Sequence, residues 1–158
     1  MYPIVVFMIL SGLLAAAVSQ IGEQRLASIP PSAAALAQDF AAYRTAVIRY
    51  VQTHPDAAFS ASVPNASLPS VGAYVAHSPW RNYVKGNTVV VYSASVPAIN
   101  FIGALEELAQ HSVFAGAAYN GTIVANPTSS VPSNVKLPPV VQNVVPNGVP
   151  VWEALDVF

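Results

Sequence analysis

Trp80–Ser93, WRNYVKGNTVVVYS, is the stretch on which the fold turns. The run TVVVYS at Thr88–Ser93 concentrates β-branched and aromatic residues, which suit a pleated, covered surface, and it is the strongest strand signal in the chain. Val89, Val90, Val91 and Tyr92 are apolar at every position rather than at alternate ones, so the strand they predict is covered on both faces. Lys85-Gly86-Asn87 is turn chemistry, and Trp80–Val84 before it completes a predicted hairpin.

Working toward the C-terminus, a helix is expected from about Pro97 to His111. Ser95 is its candidate N-cap, Pro97 sits in the tolerated first turn, and Ile99, Ile102, Leu105 and Leu108 form its buried stripe. Glu106 and Glu107 then face water. Phe114–Tyr119 and Thr122–Asn126 flank Asn120-Gly121, a dipeptide that favours the tight two-residue I′ turn. Proline crowds the remainder, so Val140–Val145 and Val149–Phe158 read as edge strands or extended wrapping segments.

Toward the N-terminus, residues 56–79 are loop-like, with Pro64, Pro69 and Pro79 among Ser, Ala and Asn. A long amphipathic helix is predicted from about Ser32 to Thr53. Leu36, Phe40, Tyr43, Val47, Tyr50 and Val51 line one stripe, Gln38, Arg44, Thr45, Arg49 and Gln52 lie mostly off it, and His54-Pro55 ends it. Asp39 with Arg44 and Arg49 reads as an exposed charge pairing. The fold class is α+β: an N-terminal membrane helix, then a small antiparallel sheet packed against one or two helices.

The membrane helix is read from Ile4–Val18, which carries no charge. As helix, Ile4 to Ile21 covers about 27 Å, close to a thin hydrocarbon core. Ile4, Val5, Val6, Phe7, Met8, Ile9, Leu10, Leu13 and Leu14 are its anchoring side chains. A cleaved signal peptide ending at Ala17-Val18-Ser19 is the competing reading, opposed by the lack of a basic stretch before Ile4. Small residues form two ladders on this helix, Ser11, Ala15 and Ser19 beside Gly12 and Ala16, of the kind that lets two helices approach in lipid. The organisation expected is anchor 1–21, linker 22–31 and exported α+β domain 32–158, with room for one small domain only.

Composition narrows the function classes. Six Lys and Arg and a net charge of -1 leave no concentrated cationic face for nucleic acid. A charged fraction of 8% against 54% apolar residues points to surface that meets other proteins. With no cysteine, thiolate chemistry and thiolate metal sites drop out. His54, His77 and His111 lack zinc-helix spacing, Glu106 and Glu107 diverge around a helix, and no nucleophile elbow or phosphate loop occurs. The reading is therefore non-enzymatic, with no catalytic, cofactor or metal residues. Tyr43, Tyr50 and Trp152 are the candidates for a partner surface, because interfaces enrich Tyr and Trp.

The uncharged N-terminus, the segment ALAQDFAAYRTAVIRYVQTHP ending at His54-Pro55, the tyrosine-bearing VVVYS at Val89–Ser93 and the Pro- and Val-rich end together resemble the PilM family of type IVb thin-pilus systems. That family is distinct from the actin-like nucleotide-binding protein that shares its name. The resemblance implies a single-pass protein of the bacterial inner membrane with its C-terminal domain in the periplasm. It also implies a basal apparatus that assembles or transports pilin, partners among pilus assembly proteins or pilins, no enzymatic activity and no assigned functional residues. A minor pilin looks similar in layout, but this chain lacks the basic leader, the acid early in the apolar helix and the C-terminal disulfide of that class.

Overall fold

The computed structural model describes residues 32–55, 60–69, 79–125 and 135–157. The expected anchor, its small-residue ladders and the linker lie outside these residues. Among the described residues, no helix is long and apolar enough to cross a membrane.

Helix α1 spans Ala33–Thr53, one residue from its expected start. Ser32 caps it by accepting the Ala35 N–H at 3.1 Å, and at the other end the His54 N–H bonds the Val51 carbonyl before Pro55 forbids another turn. Its predicted stripe is real: Phe40, Tyr43, Val47 and Val51 are buried, with Ala37 and Ala46 beside them, while Leu36 and Tyr50 are half-buried.

The described strands form one antiparallel sheet. They are β1 (Ser60–Ala61), β2 (Trp80–Lys85), β3 (Thr88–Ser93), β4 (Ala115–Tyr119), β5 (Thr122–Val124), β6 (Val135–Lys136) and β7 (Pro150–Ala154), in spatial order β1-β2-β3-β7-β4-β5-β6. The β2–β3 hairpin closes through Gly86-Asn87, with Lys85 opposite Thr88 and Gly86 at φ +54, the conformation that the first loop position of a II′ turn requires. Asn120 and Gly121, at φ +48 and +72, provide the expected I′ turn of β4–β5.

Helices and sheet divide the core in two. On one face α1 and helix α2 (Ile102–Leu108) cover Trp80, Val84, Val89, Val91 and Ala154. On the other, Val90, Tyr92, Ala118, Ile123 and Val151 pack under Leu137, Val141, Val145 and Val149 from the C-terminal segment. Val89–Tyr92 is thus covered on both sides, as its unbroken apolar run requires.

Five expectations are corrected. The last strand is not an edge: β7 pairs with β3 and β4 and holds the centre of the sheet. Its only proline, Pro150, is the first residue, where the missing N–H does not interrupt the ladder that Val151–Ala154 make. Val140–Val145 is not extended, because Pro139 starts a short helix, α3 (Pro139–Gln142), which buries Val141 and leaves Val140 51% exposed.

The helix expected from Pro97 begins only at Ile102, whose N–H bonds the Asn100 side chain at 3.0 Å. Ser95 does not cap it; the Ser95 carbonyl instead accepts the Ser93 hydroxyl at 2.6 Å. Short and wedged between α1 and β4, α2 buries Glu106 beside Leu105 rather than turning it to water.

Helix α2 ends in a Schellman motif, in which the Gln110 N–H bonds the Glu107 carbonyl and the His111 N–H bonds that of Glu106. Gln110 sits there at φ +54, a position where a Cβ is penalised and glycine is usual. Gln110→Gly should therefore stabilise the domain, by about 1 kcal/mol. A urea unfolding midpoint unchanged or lowered would contradict that assignment.

Candidate interaction surface

The three residues expected at a partner surface fall in different environments. Tyr43 is fully buried and belongs to the core. Its hydroxyl donates to Asn65 Oδ1 at 2.9 Å and accepts from Asn82 Nδ2 at 2.6 Å. Asn82, inward-facing on β2 and 2% exposed, then serves as a side-chain extension of the ladder. It accepts the Val63 N–H at 2.7 Å and donates to the Val63 carbonyl at 2.9 Å, fastening residues 62–65 to helix and sheet. Tyr43 is thus withdrawn from any partner surface by the polar network its hydroxyl completes.

Tyr50 is half-buried and stacks on His54, ring centroids 4.2 Å apart and planes 20° apart. The His54 Nδ1 lies 2.8 Å from the Tyr50 carbonyl, so both rings finish the end of α1. Trp152 is half-buried on central β7, and the Arg44 guanidinium carbon lies 4.4 Å from its ring centroid. Of the three, Trp152 alone combines partial exposure with a charged neighbour held against it.

Asp39 does not form the expected exposed ion pair. Its Oδ2 accepts the Trp80 indole N–H at 2.6 Å, a charge-assisted bond at the rim of an aromatic cluster. Trp80, Phe40 and Phe101 meet edge to face, with centroids 5.0, 5.6 and 5.9 Å apart. Arg44, read from its spacing as off the stripe, is drawn inward beside that core, and burial lowers its pKa. Its place next to Tyr43 and four residues before Ile48, at the border of the apolar stripe, was the signal for this.

Glu153 on β7 is 5% exposed, and its Oε2 has no hydrogen-bond partner. Burial raises its pKa above the ordinary glutamate value. The folded state therefore holds this proton more tightly than the unfolded chain. Its contribution is intact below the ordinary value of 4.5 and is lost as pH rises through the raised folded value. Glu153→Gln should flatten this dependence: as pH rises above the ordinary glutamate value, wild-type stability falls more than that of the variant. Parallel urea midpoints for the two proteins across that range would refute it.

Hollows lined by described residues include two of note. One of about 420 Å³ lies beside the β4–β5 turn, lined by Asn120, Gly121, Gln142, Asn143, Val145, Pro146 and Asn147. A smaller one of about 240 Å³ lies between α1 and α2, against Ala34, Ala37, Ala104 and Leu108. Among the described residues, no group of three or more His, Cys, Asp or Glu could hold a metal ion. Exposed apolar side chains are scattered, with Tyr119 57% exposed on β4 and Val144 60% exposed after α3.

The PilM family model matches residues 6–153. The chain belongs to the PilM family. This PilM-family chain is also similar to the crystal structure of protein PilM from Escherichia coli B7A, at 21% identity and a TM-score of 0.46, over 77% of this chain and 90% of that one. No curated protein matches it. Membership points to a pilus-related function, and no functional residue comes with it. What the PilM-family fold itself offers as surface is the Arg44–Trp152 stack and the exposed apolar side chains around the sheet.

Proposed function

We propose that this chain is an inner-membrane component of the apparatus that assembles a thin pilus or moves its pilin, and that it acts by binding other pilus proteins. The observation that carries the reading is the extent of the family match. It starts at residue 6, inside the uncharged run, and continues to residue 153, so run and domain are matched as one unit. In this reading Ile4–Leu14 anchors the chain in the bilayer and the domain from Ser32 onward projects into the periplasm. The Ser11, Gly12, Ala15 and Ala16 ladders offer a contact to a second copy within the membrane. The low charge and high apolar content favour protein partners over nucleic acid.

The test is carried out in a host that carries the pilus system. Deleting the gene should abolish thin pili, and the full-length protein should resist carbonate extraction with its N-terminus intact by mass. A new terminus near Gln20 with release into the soluble fraction would instead establish an exported interaction domain. An N-methylated terminus with recovery in sheared fibres would establish a minor pilin.

A further inference from the structure

Among the described residues, three buried side-chain atoms lack a hydrogen-bond partner: Asp39 Oδ1, Arg44 Nε and Glu153 Oε2. Such atoms are rare enough in folded proteins that each calls for a physical reason. Asp39 has one, since its other oxygen takes the Trp80 indole. Glu153 has another, since burial disfavours its charged form and raises its pKa. Arg44 has neither remedy. A guanidinium cannot neutralise itself by losing a proton at accessible pH, and among the described residues its charge is answered by the Trp152 ring rather than by a hydrogen bond or ion pair.

The negative face of that ring answers the charge in part and also fixes the plane of the guanidinium. With Nε itself buried, a guanidinium stacked on one face can still receive a carboxylate in its plane at the Nη1 and Nη2 end, through two parallel N–H···O bonds. Both residues stand on rigid elements, Arg44 within the 21-residue α1 and Trp152 on the central strand. Arg and Trp are also the side chains that most often dominate the binding energy of protein interfaces.

We propose that the Arg44–Trp152 stack is the docking point for a single carboxylate, an acidic side chain or free C-terminus, on a partner pilus protein. That the partner is a pilus protein rests on the function proposed above; the carboxylate chemistry does not. One guanidinium matches one negative charge. Polyphosphate, nucleic acid and anionic lipid surfaces are held by several clustered cations, and this chain has only six Lys and Arg in all.

The experiment uses the full-length protein in detergent micelles, labelled with 15N at tryptophan, and follows the two indole N–H signals, with Trp152→Phe for assignment. The probes are N-acetyl-Ala-Glu-Ala-amide, its glutamine counterpart and inorganic phosphate. The glutamate peptide should move the Trp152 signal saturably and leave Trp80, bonded to Asp39, in place. Arg44→Gln should weaken that binding at least tenfold, and Arg44→Lys should retain part of it. Because the guanidinium of Arg44 has no hydrogen-bond or ion-pair partner among the described residues and stands to lose only its stack on Trp152, both variants should stay folded, with cooperative melts close to that of wild type.

No saturable shift, an equal response to the glutamine peptide, or tighter binding of phosphate would overturn the proposal. In cells, Arg44→Gln should remain in the membrane fraction yet fail to restore pili to the deletion strain. Full restoration by that variant would refute the docking role and leave the proposed function standing. A deletion strain that still makes pili would remove the function while the peptide titration stood by itself.

Discussion

Replacing Trp80 by alanine should cost the domain about 4 kcal/mol, the middle of the range for a large aromatic removed from a core. Trp80 is 1% exposed and meets Phe40 and Phe101 edge to face, with ring centroids 5.0 and 5.6 Å away, so its loss strips partners from α1 and from the residue just before α2. It also strands the Asp39 carboxylate, whose Oδ1 is already buried without a partner and whose Oδ2 then loses the indole N–H. Trp80→Phe separates the two effects, since it keeps much of the packing and deletes only the donor. The expected order of urea midpoints by far-UV circular dichroism is wild type, then phenylalanine, then alanine. An alanine variant within about 1 kcal/mol of wild type would show that the cluster is not the keystone of this face.

The second large effect is expected at Asn82. Asn82→Leu should destabilise by about 3 kcal/mol even though leucine is similar in size and more apolar, because the cost falls on the groups left behind. The Val63 N–H and carbonyl and the Tyr43 hydroxyl all lose a bond within a region closed to water. Tyr43→Phe removes a single member of the network and should cost only about 1 kcal/mol. In the double variant the two losses should sum to less than their separate values, as coupled members of one network do. Strict additivity in that cycle would contradict the shared network.

Much of the fold was legible in the sequence for identifiable reasons. The α1 stripe, the TVVVYS strand and the Asn120-Gly121 turn are local signals, set by spacing or by a backbone conformation that few residues accept. The errors fell where tertiary context outweighed local pattern. The prolines near the C-terminus suggested an edge, yet with Pro150 at the first position the four residues after it could enter the centre of the sheet. Glu106 looked solvent-facing because it lies off the stripe of Ile99, Ile102, Leu105 and Leu108, but a seven-residue helix lodged between α1 and β4 is covered over more than one face.

The candidate surface was less legible than the fold. Tyr43, Tyr50 and Trp152 were equivalent as letters, and only three-dimensional neighbours separate a core hydroxyl, a helix-end stack and a half-open indole. Arg44 escaped notice because helical spacing records the face of a residue and not the direction in which a long side chain folds back.

The placement of β7 governs the order in which this protein can be completed. Residues 60–93 supply three neighbouring strands and residues 115–136 supply three more, but no hydrogen bond of the sheet joins one trio to the other until Pro150–Ala154 slides between them. During synthesis the two half-sheets emerge from the ribosome with α2 but no sheet ladder between them, and the sheet closes only when nearly all of the chain has been translated. A polypeptide that keeps its keystone for last stays threadable for as long as possible, and trimming even a few residues from within that strand would leave two pieces of sheet with nothing between them.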